Sequence, residues 1–540
     1  MRLLPLASAL VLAPLATAQL REPGTPATLR ADLPADVPVL VVPAGRLPAV
    51  RASDPSEPGP FRYGVELAVG RGLADAGRWD TLASGENVWR LELASPGAFS
   101  LGVQFARFDL PPGAQVFLYD PGHQEVLGAY GESTESPDGA LAVQPLRGDR
   151  VVIEYVEPAG TVAEPELVVE SLVHDYVDIL ARMAQGSALG LACLVDVNCP
   201  AGANHQDIKR AVVWIVRSGA GCSASILNNT ADDGTPYLMT AEHCGNFTSG
   251  VFVFDYERSG CSTGTSSQSK TLSGAVRLAV SSFYDGQLYR LNQAIPASYE
   301  PFFAGWSRST LGTPTVGISH PAGNPKKIQI DRQTPFLLNT RWSVQWDVGA
   351  IQGGSSGSPL FDANERIIGS LSTGSSGCSI NGNYGRFDLF YSTQGLATWL
   401  DPLGWDPTGL DGLDGIEPYT HAYHGSGANP ELLTSTSEPR LGTSWSAKVD
   451  ASSVPSATSV LYVGHRQPDE GVFASYGEVL VDLASPRLFE HIAPIVGGFS
   501  THTFALPANL GLVGRVAYSQ AFVLGPIVQA TNGLKIVLHF

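Results

Sequence analysis

Short apolar runs, separated by turn residues, recur along most of this chain. Three lie in the first third, at 88–93, 115–119 and 151–155, and four lie near the end, at 459–463, 478–483, 501–506 and 534–538. Long helical periodicity is nearly absent, apart from helical character at about 172–184 and a short amphipathic segment at 396–400. The pattern predicts an all-β chain built from several short-stranded domains.

Composition supports the same fold class. The chain has 540 residues, with 59 glycines and 39 prolines that supply many turns. Hydrophobic residues make up 44% and charged residues only 16%, so the chain can bury several cores and is not of the disordered type. A length of 540 residues predicts two to four domains.

The first 18 residues are typical of a secretory signal peptide. Arg2 gives a short positive start, residues 3–15 are mostly apolar, and Ala16-Thr17-Ala18 fits cleavage next to small residues. A buried N-terminal strand is the alternative. No later apolar run is long enough to span a bilayer, so we expect a soluble product secreted to the extracellular space.

Changes in composition divide the remainder into three parts. Residues 19–190 are expected to form a propeptide, with an extended leader to about 60, a cysteine-free β-sandwich at about 62–176, and a cleavable junction at 185–190. Residues 191–417 contain every cysteine, and residues 418–540 are expected to form a second small β-sandwich. The role of this last part does not follow from its sequence.

The net charge limits the partners. A formal charge of −18 with no basic cluster argues against nucleic acid or an anionic membrane surface as a partner. Protein or peptide substrates remain, together with the chain's own propeptide; the sequence leaves the oligomeric state open.

The cysteines indicate disulfides rather than metal binding. All six fall in the middle region: Cys193, Cys199, Cys222, Cys244, Cys261 and Cys378. An even number in an exported chain predicts three disulfides, and 15 pairings are possible. A zinc site is the competing interpretation, but CxxC spacing and paired histidines are missing nearby, and the six histidines after residue 418 form no ligand set. We therefore expect no metal and no other cofactor.

Two motifs in the middle region indicate nucleophilic catalysis. Thr240-Ala241-Glu242-His243-Cys244 follows an apolar run, and Gly354-Ser355-Ser356-Gly357-Ser358-Pro359 lies downstream. A hydroxyl nucleophile needs a base to take its proton and amide donors to hold the oxyanion. A serine between glycines allows the tight turn that brings amides and hydroxyl together, while a disulfide at Cys244 can hold the histidine. Each motif is weak by itself, but their combination predicts a serine hydrolase.

With these motifs, the middle region resembles the secreted bacterial lysyl endopeptidases, a branch of the trypsin-like serine proteases. The resemblance extends over 191–417 and also includes the blocks Phe303-Ala304-Gly305-Trp306, Ser319-His320-Pro321, Val344-Gln345-Trp346, Tyr384-Gly385-Arg386 and Trp399-Leu400-Asp401-Pro402. It implies two six-stranded antiparallel β-barrels with the active site between them. It also implies the pairings Cys193–Cys378, Cys199–Cys261 and Cys222–Cys244.

The resemblance assigns roles to single residues. His243 is the general base, Ser356 the nucleophile, and the amides of Gly354 and Ser356 the oxyanion donors. Asp285 is the best candidate for the residue that orients the imidazole, although Gly286 and Gln287 follow it where the family usually has an apolar run. A simple turn aspartate is the alternative for Asp285, and Asp232, Asp233 and Asp255 fit the order of the motifs less well.

Specificity departs from the family. Lysyl endopeptidases carry an aspartate two residues before Tyr-Gly-Arg, where this chain has Gly382. Because a buried ammonium without a counter-charge is costly, we expect no lysine preference. An uncharged side chain should instead meet the wall residues Ser372, Thr373 and Gly374, unless Asp347 supplies a replacement acid.

Activation should also differ from that of many trypsin-like zymogens. Their new amino terminus pairs with an aspartate just before the nucleophile, and this chain has the uncharged Ser355 there. Removal of 19–190 is the expected route, and we hypothesise that this segment assists folding or covers the cleft. The alternative function is a non-catalytic, trypsin-like extracellular binding or adhesion protein.

Overall fold

The computed structural model of the chain describes residues 22–45, 59–131, 134, 139–185, 191–309, 314–375, 377–378, 381–415, 419–423, 425–507 and 515–538. The expected signal peptide and nearly all of the expected junction at 185–190 lie outside these residues. Within them the chain is nearly all β, as expected from the sequence. Of the helices described, none has the length and apolar character needed to cross a bilayer.

The N-terminal part forms two facing sheets. Its elements are β1 Val39–Val41, β2 Phe61–Arg62, β3 Gly64–Gly72, β4 Arg78–Thr81, β5 Asn87–Ala94, β6 Ser100–Asp109, β7 Gln115–Tyr119, β8 Val126–Tyr130, β9 Leu141–Arg147, β10 Arg150–Glu157, β11 Glu166–Asp175 and α1 Ile179–Gln185. One sheet has the order β1-β5-β10-β7-β8 with β4 beside β5, and the other has the order β3-β11-β6-β9. Their inner faces share one apolar core, which is the arrangement of a β-sandwich.

Two expectations for this part need correction. The leader is not simply extended, because β1 pairs in parallel with β5 and Ala27 is buried on the outer face of the same sheet. Helical character from residue 172 is wrong at its start, because β11 continues to Asp175 between β3 and β6 and the helix begins only at Ile179.

The middle part holds two larger sheets. Its elements are β12 Val195–Asp196, β13 Val212–Arg217, β14 Ala220–Leu227, β15 Tyr237–Thr240, β16 Val251–Val253, β17 Thr271–Ser273, β18 Ala275–Ser281, β19 Gly286–Leu291, β20 Phe302–Phe303, β21 Trp306–Ser307, β22 Thr315–Ser319, β23 Lys327–Asp331, β24 Phe336–Leu338, β25 Arg341–Gln345, β26 Ala350–Ile351, β27 Pro359–Phe361, β28 Ile367–Gly374, β29 Gly377–Cys378, β30 Asn381–Arg386, α2 Phe387–Gln394, α3 Ala397–Leu400, β31 Gly409–Leu410 and β32 Leu413–Asp414.

The first of these sheets has the order β17-β16-β13-β14-β15-β19-β18, and the second has the order β12-β23-β22-β27-β28-β30-β25-β24 with β21 and β31 attached. Counted over the described residues, they have seven and ten strands of the middle part rather than six each, because short edge pairings add strands. One apolar core joins residues of both sheets. The N-terminal β2 adds to the edge of β14 in the first sheet.

The C-terminal part contains β33 Tyr419–Tyr423, β34 Leu433–Ser435, β35 Ser444–Asp450, β36 Ser459–His465, β37 Pro468–Ala474, β38 Gly477–Val481, β39 Arg487–Pro494, β40 Phe499–Ala505, β41 Val516–Leu524 and β42 Gln529–Val537. A sheet of order β33-β42-β41-β36-β39 faces the smaller sheet β34-β35-β40 across an apolar core. Lys535 on β42 forms an ion pair with Asp232 of the middle part.

Candidate active site

A short helical turn presents His243 at the end of a buried strand. β15 ends at Thr240, and the turn Glu242–Cys244 follows at once. The disulfide Cys222–Cys244 ties this turn to β14. The histidine backbone is therefore fixed from both sides, by a strand pairing and by a covalent link.

Asp285 holds this histidine at two points. Its Oδ1 accepts from the backbone N–H of His243 at 2.9 Å, and its Oδ2 accepts from Nδ1 of the ring at 2.8 Å. Asp285 lies just before β19 with a φ of +53°, a left-handed conformation that aspartate tolerates better than most residues. It is thus a turn aspartate and the partner of the imidazole at once.

The hydroxyl of Ser372 makes a third hydrogen bond to this carboxylate, donating to Oδ2 at 2.6 Å. Burial alone raises the pKa of Asp285. The hydrogen bonds and charge interaction with His243, together with the bond from Ser372, outweigh burial, so the pKa of the carboxyl lies below its usual value. Asp285 therefore remains an anion, suited to stabilising a charged imidazole.

The loop that carries Ser356 packs against the strand leading to His243. Ser223 on β14 donates its N–H to the carbonyl of Ser356 and its hydroxyl to the carbonyl of Gly354, both at 2.9 Å. A Cβ at Gly357 would come within 2.1 Å of Thr240 Oγ1, so only glycine allows this approach. Ser356 itself is 4% exposed.

Ser356 and His243 do not form a hydrogen bond in the structure. The Nε2 atom of His243 is buried, and no partner for it exists among the described residues. The ring is thus oriented from its Nδ1 side, while its Nε2 side is left available to a proton donor.

The amide of Gly354 already holds a carbonyl oxygen. Gly354 has a φ of +94°, which favours glycine, and its N–H donates to the carbonyl of Gly59 at 2.8 Å. Gly59 belongs to the N-terminal part of the chain. Ser355, the residue just before Ser356, is held by a hydrogen bond between hydroxyls: Ser319 Oγ donates to Ser355 Oγ at 3.1 Å.

A small pocket opens beside Ser356. Its other lining residues are Gly59, Ile351, Gln352, Gly353, Leu371, Ser372, Thr373, Gly374 and Ser375. The cavity measures about 10 Å³, roughly the space that one water molecule needs. No acidic side chain lies among these lining residues. Ser372 both lines this pocket and donates a hydrogen bond to the carboxylate of Asp285.

Gly382 lies behind this pocket, paired with Gly374 across β28 and β30. A Cβ at Gly382 would come within 3.1–3.5 Å of Tyr384, Trp346 and Ile351, so the surroundings are apolar except for the indole Nε1 of Trp346. Asp347 is exposed, lies outside the pocket, and accepts a hydrogen bond from the N–H of Arg332.

Gln287 supports the histidine turn, a role that sequence reasoning missed. Its side chain is fully buried, and its Nε2 donates to the carbonyls of Ala241 at 2.9 Å and Gly245 at 2.8 Å, on either side of His243. Tyr289 donates to its Oε1 at 2.7 Å. The only sequence signal for this role was that Gln287 stands where the family usually has an apolar run. The neighbouring Gly286 leaves room for Phe390, whose ring would lie 3.1 Å from a Cβ there.

The other aspartates considered for the triad have different partners. Asp232 contacts Asn228 and Lys535, Asp233 accepts from Asn229, and Asp255 pairs with Lys270. None of them contacts His243.

The cysteines are paired as Cys193–Cys378, Cys199–Cys261 and Cys222–Cys244, with no free cysteine in the described chain. Cys378 lies on β29, which pairs with Ala350 and Ile351, so the first bridge supports the wall of the pocket. No group of three or more His, Cys, Asp or Glu side chains within the described ranges could hold a metal ion.

Residues 189–391 match the family described as "Lysyl endopeptidase, C-terminal domain". Similar solved structures include a Glu endopeptidase in complex with MPD, at 16% identity over 34% of this chain and 88% of that chain with a TM-score of 0.26. Another is Deg5, at 15% identity over 33% of this chain and 84% of that one with a TM-score of 0.23.

The matched segment contains His243, Asp285 and Ser356. The middle region therefore has the fold class and family of a serine peptidase. Within that class, the match places residues 189–391 beside the lysyl endopeptidases.

Proposed function

We propose that this protein is a secreted serine endopeptidase that acts through His243, Asp285 and Ser356. The observation that carries the proposal is that Asp285 accepts hydrogen bonds from both the backbone N–H and the ring Nδ1 of His243. With Nδ1–H bonded to the carboxylate, the neutral ring has its lone pair on Nε2, as a general base requires.

The reaction follows from these roles. Ser356 Oγ attacks the carbonyl carbon of the scissile bond and passes its proton to His243 Nε2. The amides of Gly354 and Ser356 hold the oxyanion, a contribution worth about 10²–10³ in rate for each donor. The C–N bond then breaks as the leaving nitrogen takes the proton, and water hydrolyses the resulting ester with His243 again acting as base.

We further propose that the substrate residue before the cleaved bond is small and uncharged. The pocket beside Ser356 lacks an acid, its cavity is about 10 Å³, and the side chains behind it are apolar except for the indole Nε1 of Trp346. A lysine ammonium there would lose its hydration without gaining a counter-charge. The lysine preference suggested by the family's name is therefore not expected in this chain.

Residues 1–18 and 19–190 are proposed to be a signal peptide and a propeptide, with the protease at 191–417 and a separate β-domain at 418–540. The disulfides are consistent with export to an oxidising compartment.

Cleavage profiling on a peptide library tests this proposal. The protein, after loss of its N-terminal part, should cleave peptides after small uncharged residues, and Ser356→Ala should abolish cleavage. Ser392→Ala is the matched control, because this exposed serine on α2 bonds only to carbonyls of its own helix. Absence of any Ser356-dependent cleavage would favour the non-catalytic binding protein instead.

A further inference from the structure

A short piece of the N-terminal part runs through the groove beside Ser356. We name residues 59–63 the cleft segment. Its first residue, Gly59, lines the pocket with Ser356 and accepts the hydrogen bond from Gly354 N–H at 2.8 Å. Its later residues follow the edge of β14, where Phe61 pairs with Gly221 and Arg62 with Ala220.

The two ends of the cleft segment fix its register. Gly59 is held at the proposed oxyanion amide, while Tyr63 N–H donates to the carbonyl of Gly219 at 2.8 Å. Antiparallel addition to a free strand edge is a common way for proteins to bind extended peptides. The peptide bond between residues 59 and 60 therefore lies next to Ser356, with residue 59 on the pocket side and residues 60–63 on the leaving-group side.

We propose that the cleft segment is a built-in substrate mimic that resists cleavage, with Gly59–Pro60 at the position of the scissile bond. While it is bound, substrates are excluded and the protease is inactive. This inference rests on the proposed function, because it assigns to the same site a specific inhibitor from the same chain.

Two features of the cleft segment oppose its hydrolysis. The nitrogen of Pro60 carries a ring carbon in place of hydrogen, so the bond to Gly59 is a tertiary amide whose nitrogen is more crowded than that of an ordinary peptide bond. Gly59 has a φ of +131°, a conformation that L residues rarely adopt. The bond is thus presented in a geometry that an ordinary substrate does not share.

The N-terminal sandwich anchors the segment. Phe61 and Tyr63 are 2% and 3% exposed, and they belong to an apolar cluster that includes Trp214, Val216 and Val251 of the protease region. At a second contact between the two regions, the hydroxyl of Ser273 donates to the carbonyl of Ala142 at 2.6 Å.

This apolar cluster would hold the cleft segment in place even if the chain were cut between the N-terminal part and the protease region, after residue 185. Because the segment continues directly into β3 of the sandwich, its effective concentration at the cleft is high. Inhibition therefore lasts until the whole N-terminal region dissociates or is degraded.

The test uses the full chain and measures how fast a fluorophosphonate labels the intact, unprocessed band. Gly59→Ala has no neighbour for its new Cβ within 4 Å, so it acts through the backbone conformation alone. We expect the intact Gly59→Ala chain to be labelled at least about tenfold faster than the wild type, because strain of this kind costs on the order of a factor of ten or more in binding.

Gly160→Ala is the matched control, since Gly160 also has a positive φ and an open Cβ position but lies in a turn of the sandwich. It should label at the wild-type rate. Equal rates for wild type and Gly59→Ala in the intact band would overturn the proposal.

A second variant tests the register. In the double variant Gly59→Ala/Pro60→Ala, which removes both features that oppose hydrolysis, cleavage between residues 59 and 60 should produce a fragment whose first residue is 60, detected by mass spectrometry and absent when Ser356→Ala is added. Survival of that bond in a chain whose serine does react would overturn the placement of Gly59–Pro60. If no variant shows Ser356-dependent labelling, even after the N-terminal region is removed, the proposed function itself fails.

Discussion

Replacing the carboxylate of Asp285 by an amide is the sharpest perturbation of the candidate site. Asp285 accepts hydrogen bonds from the His243 N–H at 2.9 Å, from His243 Nδ1 at 2.8 Å and from Ser372 Oγ at 2.6 Å. Asp285→Asn keeps the shape of the side chain but has only one oxygen. Its amide nitrogen must face a donor, either the backbone N–H or the ring Nδ1.

If the amide nitrogen faces the ring, Nδ1 must become the acceptor and the proton moves to Nε2. A ring protonated at Nε2 cannot take the proton of Ser356. If the amide nitrogen instead faces the backbone N–H, the turn that presents His243 is disturbed. In a triad of this type the change to Asn lowers kcat about 10⁴-fold, which corresponds to about 5 kcal/mol.

The assay is peptide cleavage by the protein freed of its N-terminal part, with thermal unfolding measured in parallel. Asp331→Asn is a matched control, because this buried carboxylate accepts from the backbone N–H groups of Gln333 and Gln345 and is not part of the candidate site. It should leave kcat within a few-fold of wild type. A loss of less than tenfold for Asp285→Asn in folded protein would refute the reasoning.

Three further predictions follow from single side chains. Gly382→Asp places a carboxylate near the unpartnered Nε1 of Trp346, so the ratio of kcat/KM for lysine over alanine substrates should rise at least tenfold; an unchanged ratio would contradict the assignment of the pocket. Gln287→Glu replaces the amide donor that bonds to the carbonyls on either side of His243 with a carboxylate oxygen. We expect kcat to fall about tenfold or more and Tm to decrease. Unchanged kcat and Tm would show that these hydrogen bonds are dispensable. Burial, with repulsion from Lys326, lowers the pKa of His320 from 6.5 to about 3. As the pH falls below about 6.5, the unfolded chain therefore binds a proton that the folded chain does not, and the free energy of unfolding decreases by up to about 1.4 kcal/mol per pH unit. The slope of Tm against pH between 4 and 6.5 should be smaller in His320→Asn, and identical slopes would show that His320 is not the cause.

Much of the fold could be predicted because short-range patterns determine it. The apolar runs at 88–93, 115–119 and 151–155 lie in β5, β7 and β10, and the run at 459–463 lies in β36. The prediction failed from residue 172, where β11 forms instead of a helix. There the pairing with β3 and β6 decides the structure, and such long-range partners are not visible in a local window.

At the candidate site, too, local patterns could be read from the sequence and long-range contacts could not. Short motifs named His243 and Ser356 as candidates, and the family resemblance, supported by counting along the chain, named Asp285; the structure brings Asp285 and His243 together, while the catalytic roles of all three are proposed. The brace of Gln287 was missed because it depends on carbonyls of a different strand end. The cleft segment was missed because Gly59 and Gly354 are distant in sequence, and a Gly-Pro pair in a proline-rich stretch carries no chemical signature. A covering role for the N-terminal region could be hypothesised from the sequence, but the residues that cover the site could not be named.

The most direct test of the central claim is to map the site of fluorophosphonate modification by mass spectrometry. The protein freed of its N-terminal part should carry a single adduct on Ser356, with Ser355 and Ser358 unmodified, and His243→Ala should slow its formation at least about a hundredfold. An adduct on another serine, no adduct at all, or an equal rate without the imidazole would contradict the account.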